Sequence, residues 1–88
     1  MNWKISYSKS ALKFIEKHNI KVEVKEEIRK FLLLLKRENV NVDVKKLYGD
    51  WKGYYRIRKG KLRIIFSLNK LEKEIYIEKI DFRGDVYK

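Results

Sequence analysis

Three arginines that lie close together are the residues of this chain best suited to do chemistry. Arg56, Arg58 and Arg63 fall within the segment YYRIRKGKLRIIF, residues 54–66. Arginine carries a planar guanidinium that stays protonated and presents its N–H donors in a fork matching the oxygens of a phosphate group. The segment therefore predicts a site for a phosphorylated ligand, provided that the fold brings the three side chains together.

The same segment predicts how they are brought together. Apolar and basic residues alternate on both sides of Lys59 and Gly60, which is typical of a β-hairpin with one buried face. With Lys59 and Gly60 as the two-residue loop, Arg56 falls opposite Arg63 on the basic face. The opposite face then collects the apolar side chains Tyr55, Ile57, Leu62 and Ile64. Because like charges facing each other across a sheet are unfavourable by up to about 1 kcal/mol, we expect an external anion, phosphate first, to compensate.

The net charge supports an anionic partner. The chain has 23 Lys and Arg against 12 Asp and Glu, a formal charge of +11. Between Asp50 and Glu72 there are seven basic residues and no acid. A patch of this kind suits nucleic acid or an acidic partner protein. The lysines scattered along the first 25 residues are interpreted as solvated surface instead.

Several classes of chemistry are excluded by composition. Cysteine is absent and His18 is the only histidine, which argues against thiolate metal sites, cysteine nucleophiles and a serine-hydrolase triad. The four glycines are isolated, and neither a P-loop nor a dinucleotide-binding motif is present. We expect no metal and no cofactor.

A basic face with tyrosines can bind RNA and can also cleave it. RNA supplies its own nucleophile, the 2′-OH, so a protein needs to align it with the phosphorus, stabilise the extra charge on the phosphoryl oxygens and protonate the leaving 5′ oxygen. Arginines suit the second task, and a tyrosine beside several cations is a candidate base. The residues expected to bind RNA around the arginines are Lys46, Lys52, Tyr54, Lys59 and Lys61.

Length and hydropathy favour a single cytoplasmic domain spanning residues 1–88. No apolar run reaches the ~18 residues that a membrane span needs, and the opening MNWKISYS lacks the apolar stretch of a secretory signal. Without disulfides, the fold depends on one apolar core.

The element order is predicted as β-α-α-β-β-β, an α+β fold with two helices packed on one face of a small twisted antiparallel sheet. Ser8 is the expected N-cap of the first helix. The last strand alternates correctly only with a bulge near Glu78 and Lys79. The arginines would occupy the sheet face left open by the helices. The predicted ranges are strand 3–7, helix 9–18, helix 22–38, loop 39–46, hairpin 54–66 and strand 74–82.

With this order, the block KLYGDWKGYYRIRKGKLRIIFSL (residues 46–68) and the ending RGDVYK, the chain resembles a RelE-type toxin of the RelE/ParE superfamily. The resemblance implies a cytoplasmic toxin that enters the ribosomal A site, contacts ribosomal RNA of the 30S subunit and cuts mRNA to 2′,3′-cyclic phosphate ends. It also implies a RelB-like antitoxin as partner.

Five catalytic residues follow from the resemblance by position. It implies that Arg56 and Arg58 support the nucleophile and the phosphate, and that Arg63 holds the scissile phosphate. Arg83 matches an arginine assigned to transition-state charge or leaving-group protonation, and Tyr87 matches a tyrosine that stacks on the substrate or acts as base. Well-studied members have lysines at the positions of Arg56 and Arg58, so here these two are expected to stabilise charge rather than transfer protons.

Two other functions remain open at this point. A ParE-like toxin would inhibit DNA gyrase by binding alone, but that branch typically lacks the arginine and tyrosine set. A non-catalytic RNA- or ribosome-binding module would show affinity that falls with salt, with a logarithmic slope near −0.7 per phosphate contacted on single strands.

Overall fold

The computed structural model describes residues 3–82. Along this range the strands and helices follow in the order β1 (Lys4–Tyr7), α1 (Lys9–His18), α2 (Lys21–Leu35), β2 (Asp43–Lys46), β3 (Tyr54–Lys59), β4 (Leu62–Asn69) and β5 (Glu74–Phe82). A short 3₁₀ turn, Gly49–Trp51, separates β2 from β3. The α+β class and the helix positions predicted from sequence are confirmed.

Helix α1 begins and ends where its local chemistry places it. The Ser8 hydroxyl accepts a hydrogen bond from the Ala11 backbone N–H at 3.1 Å, the N-cap interaction expected. Asn19 adopts a left-handed backbone conformation (φ 53°) and ends the helix. Helix α2 stops at Leu35, three residues before the predicted end, and Arg37 beyond it is left-handed (φ 66°).

Within residues 3–82 the sheet has five strands in the order β1-β5-β4-β3-β2, and it is mixed rather than wholly antiparallel. Neighbours from β2 to β5 are antiparallel, whereas β1 pairs with β5 in parallel. The predicted loop over residues 39–46 contains β2, and this strand explains the difference. When successive elements alternate in direction, one additional strand before β5 reverses β5 relative to β1.

The β3–β4 hairpin keeps the predicted faces but not the predicted register. Lys59 pairs with Leu62, so the loop residues are Gly60 and Lys61 and the arginine facing Arg63 is Arg58, not Arg56. Gly60 has φ 58°, and a positive φ at the first loop position is what a two-residue turn of the II′ kind asks of glycine. The prediction of Lys59 and Gly60 as the loop, with glycine in the second position, is therefore wrong.

The bulge predicted in β5 is confirmed. Ile65 pairs with Lys79 and Phe66 with Ile77, which leaves Glu78 as the extra residue. The interruption turns Ile80 to the same side as Ile77, and both side chains are buried.

Both helices pack on one face of the sheet and form the core with it. Ile28 of α2 and Phe66 of β4 are fully buried there, and Phe31 meets Phe66 edge to face with ring centroids 4.9 Å apart. No helix within residues 3–82 is long and apolar enough to cross a membrane.

Candidate nucleic-acid interface

The sheet face turned away from the helices carries Arg56 and Arg58 on β3 and Arg63 on β4; we call it the arginine face. Residues two apart on a strand point the same way, and directly paired residues share a face. Arg56 and Arg58 are two apart, and Arg58 pairs directly with Arg63. The convergence predicted from sequence is therefore present.

An aspartate that sequence reasoning missed lies among these arginines. Asp43 of β2 accepts a hydrogen bond from Arg58 Nε to its Oδ2 at 2.7 Å and one from Arg56 Nη2 to its Oδ1 at 3.2 Å. The arginines thus have a counter-charge within the protein, so the expectation that compensation must come from outside was incomplete. The signal for it was the strict alternation of valine with polar residues in VNVDV, residues 40–44, which is typical of a strand.

The arginines in turn change the pKa of Asp43. The hydrogen bond from Arg58, followed by the positive charges of Arg58, Arg56 and Arg63, lowers the pKa of the Asp43 carboxyl below its ordinary value. The carboxylate is therefore ionised near neutral pH, and its one negative charge offsets part of the three positive charges.

Arg63 is held by the hairpin backbone instead. Its Nη1 donates to the Gly60 carbonyl at 2.6 Å and to the Leu62 carbonyl at 3.2 Å. These contacts fix the guanidinium at the hairpin end of the sheet. Within residues 3–82 its Nε and Nη2 have no protein acceptor and are available to a ligand.

Arg56 is much more enclosed than Arg58. Its side chain is 13% exposed, against 50% for Arg58. Among the described residues, no acceptor lies within hydrogen-bonding distance of its buried Nε. Because this atom is itself closed to solvent, an external ligand does not reach it in this arrangement.

The arginine face is partly covered, which corrects the expectation that it stays open. Ile65 is fully buried there beneath Leu47, Trp51 and Tyr54. The Trp51 and Tyr54 rings meet at right angles with centroids 5.3 Å apart. The 3₁₀ turn thus packs against the sheet beside the arginines and forms an apolar wall there.

Tyr54 is not suited to be a base. Its hydroxyl donates to Glu78 Oε1 at 3.3 Å. Burial, and then the neighbouring Glu78 carboxylate, raise the pKa of Tyr54 above its ordinary value. The cations on this face do not outweigh these effects, so the phenol stays protonated near neutral pH.

The four predicted RNA-binding lysines occupy turns or the helix side of the sheet. Lys52 and Lys61 are exposed in turns. Lys46 pairs with Tyr55 and therefore lies on the helix side of the sheet, whereas its neighbour Lys45 pairs with Arg56 on the arginine face. The fourth, Lys59, also belongs to the helix side.

Lys59 has an internal partner there. Its Nζ lies 3.5 Å from Oε2 of Glu27, a helix α2 carboxylate whose side chain is only 4% exposed. Lys30 Nζ donates to the same oxygen at 3.3 Å. The cavity beside this cluster, about 230 Å³, also reaches Asp43 and Arg58.

Two further predicted residues, Arg83 and Tyr87, lie outside the described residues. A concavity of about 730 Å³ is lined by Tyr55 and Tyr76, among others, and by none of the three arginines. Within residues 3–82, no group of three His, Cys, Asp or Glu side chains is placed to hold a metal ion.

Comparisons with known proteins bear on the identity of the chain. Its sequence matches no protein-family model and no curated protein. Solved structures do match. RelE in the archaeal RelE–RelB complex from Pyrococcus horikoshii OT3 is 30% identical, with a TM-score of 0.61, 97% of this chain covered and 99% of that one.

Two other structures share the fold over similar lengths. The RelB–RelE antitoxin–toxin complex from Methanococcus jannaschii gives a TM-score of 0.63 at 27% identity, covering 93% of this chain and 94% of that one. The YoeB dimer from Staphylococcus aureus gives a TM-score of 0.67 at 17% identity, covering 96% and 100%. With 30% identity to RelE over nearly the full length of both chains, this protein belongs to the RelE/ParE toxin superfamily.

Proposed function

We propose that this protein is the toxin of a type II toxin–antitoxin pair and acts as a ribosome-dependent mRNA endonuclease. It would cleave mRNA in the ribosomal A site by attack of a 2′-OH on the adjacent phosphorus, with the phosphate held by the arginine face. The observation that carries the proposal is the convergence of Arg56, Arg58 and Arg63 on one sheet face. The relatives, which are toxins solved alone or with antitoxins, support it.

The reaction asks of the protein mainly positioning and charge stabilisation. The 2′ oxygen bonds to phosphorus as the bond to the 5′ oxygen breaks, which leaves a 2′,3′-cyclic phosphate and a 5′-OH. In the proposal Arg63 binds a non-bridging oxygen of the scissile phosphate through the donors that the hairpin does not use. Arg56 and Arg58 stabilise the charge that develops on the phosphoryl oxygens, an effect of about 3–4 kcal/mol per preorganised donor.

Proton transfer requires other groups. Arginine remains protonated throughout, and Tyr54 is held protonated by burial and Glu78. Arg83 and Tyr87 remain the proposed residues for leaving-group protonation, stacking and base catalysis. Both belong to residues 83–88, beyond the described part of the chain.

The test is primer extension on ribosomes stalled with a defined codon in the A site, with naked mRNA as the first control. Cleavage within that codon, dependent on ribosomes and lost in Arg63→Ala, is expected. Arg29→Ala is the matched control, because Arg29 is an exposed arginine on α2 that pairs with Glu26 on the helix side of the molecule. It should cleave like the wild type.

Other outcomes point to other functions. No cleavage by a folded, ribosome-bound protein would refute the nuclease proposal and favour a binding-only module. Inhibition of DNA gyrase without cleavage would instead favour a ParE-like toxin.

A RelB-like antitoxin is the proposed protein partner, by likeness to the antitoxin–toxin complexes of the two archaeal relatives. An acidic antitoxin segment would compete with RNA for the arginine face and neutralise it. Alternatively, the antitoxin would displace the segment from Arg83 to Tyr87. A complex that leaves both the arginine face and this segment free and unchanged would contradict both versions.

A further inference from the structure

Asp43 has a position that its charge alone does not explain. An acidic residue in a site for a phosphate weakens anion binding, because it offsets positive charge where the ligand needs it. Asp43 nevertheless lies between two of the three arginines and bonds to both. Each of its oxygens serves a different arginine: Oδ1 accepts from Arg56 and Oδ2 from Arg58.

The pattern of donors keeps the arginines available. Asp43 takes Nε of Arg58, which leaves both terminal nitrogens of that guanidinium without a protein acceptor in residues 3–82. From Arg56 it takes a single terminal nitrogen, Nη2. The carboxylate thus binds both guanidiniums while leaving donors on each of them for a ligand.

Without this carboxylate the two guanidiniums would repel each other. The two arginines are two positions apart on β3, so their Cα atoms are about 6.7 Å apart. Arg63 adds a third positive charge opposite Arg58. Long, partly exposed side chains relieve such repulsion by turning apart into solvent. A shared carboxylate removes the reason to do so and limits the rotamers of both side chains.

We propose that Asp43 is a positioning residue that holds Arg56 and Arg58 side by side on the arginine face, ready for the phosphoryl oxygens of the substrate. This role rests on the proposed nuclease function. Asp43 gives up some ground-state affinity for RNA, because it lowers the charge of the site. In return it fixes the geometry on which transition-state stabilisation depends.

Removal of the charge should therefore change binding and cleavage in opposite directions. In Asp43→Asn, affinity for a single-stranded RNA at low salt should rise several-fold. The logarithmic salt slope should steepen by up to about 0.7, one further phosphate contact. The single-turnover cleavage rate at saturating toxin on A-site-programmed ribosomes should fall by about 10- to 100-fold, since a displacement near 1 Å costs on that scale. Asp43→Glu, which restores the charge on a longer side chain, should recover part of the rate.

Asp50→Asn is the matched control for charge. Asp50 is exposed in the 3₁₀ turn, and within residues 3–82 it forms no ion pair, so the substitution makes the same change of net charge close to the same face. It should leave the cleavage rate near that of the wild type. If Asp43→Asn and Asp50→Asn both strengthen binding and neither slows cleavage, Asp43 is only a counter-charge and the proposal is wrong. Weaker binding together with slower cleavage in Asp43→Asn would also contradict it.

A readout that does not need activity separates this proposal from the proposed function. In ¹⁵N NMR of the free protein, the Nε–H of Arg58 should exchange slowly with water in the wild type and rapidly in Asp43→Asn. If the exchange rate differs in this way between the two proteins but the wild type cleaves no mRNA, the nuclease proposal fails while the pairing of Asp43 with Arg58 stands. If Arg58 Nε–H exchanges equally fast in both proteins, the positioning role is refuted whether or not the wild type cleaves.

Discussion

Glu27 offers a test of how an internal charge cluster holds the hairpin against the helices. Its carboxylate is almost completely buried, and Lys30 and Lys59 both reach Oε2, at 3.3 and 3.5 Å. At such distances and an effective dielectric constant of 20, the Coulomb attraction is about 5 kcal/mol per pair before desolvation and entropy are subtracted. The lysine side chains are 28% and 58% exposed, so the net contribution of either one alone is much smaller.

The double substitution should therefore lower the free energy of unfolding by more than the two single substitutions do together. Lys30→Ala or Lys59→Ala alone should lower the free energy of unfolding by about 1 kcal/mol, because the other lysine still pairs with the carboxylate. The double substitution leaves a buried, unpaired charge, which costs about 3–5 kcal/mol.

Urea unfolding followed by circular dichroism at neutral pH measures these losses. A chain of 88 residues is expected to have about 4–13 kcal/mol of stability, so the double variant should remain measurable. Adding Glu27→Leu to the double variant should restore most of the stability, since no charge is then left buried. Lys25→Ala, an exposed lysine on the same helix, serves as control. If the double loss only equals the sum of the single losses, the argument is refuted.

Three further predictions follow from individual residues. Gly60→Ala should lower the free energy of unfolding by about 1–2 kcal/mol. Gly60 has a φ of +58° and no atom lies near the added Cβ, so the cost comes from the backbone conformation alone. Gly60→Asn should lower the free energy of unfolding by less in the same urea titration. Asp43 has a lowered pKa in the folded state, so its contribution to stability is present above the unfolded-state pKa near 3.9 and is lost as pH falls through the folded-state pKa. Acid unfolding of Asp43→Asn should therefore depend less on pH below about pH 4 than that of the wild type. Tyr54 has a raised pKa, so its contribution is present below about pH 10 and lost at higher pH. Burial raises the pKa of Tyr7 as well. Absorbance titration should therefore show late-ionising tyrosines in the wild type and one fewer of them in Tyr54→Phe.

Patterns of short range were enough to predict much of this protein. The alternation in β3 and β4 correctly assigned side chains to the buried and basic faces, because it depends only on the two-residue repeat of a strand. Ser8 and Asn19 marked the ends of α1 because capping is a contact between near neighbours in sequence. The bulge near Glu78 followed from the positions of Ile75, Ile77 and Ile80, which only an extra residue can bring to one side.

What the tertiary structure decided is which of these elements meet. Periodicity places Arg56 on a face, but its partners depend on register, and the left-handed φ at Gly60 moved that register by two residues. The pairing of β2 with β3 brought Asp43 to Arg56 and Arg58 from 13 and 15 residues away. Likewise, the packing of α2 against the sheet brought Glu27 within 3.5 Å of Lys59. The alternation of residues in the sequence was thus enough to predict the arginine face. Which charges on and around this face are paired depends on the packing of distant segments, because such contacts leave no pattern among neighbouring residues.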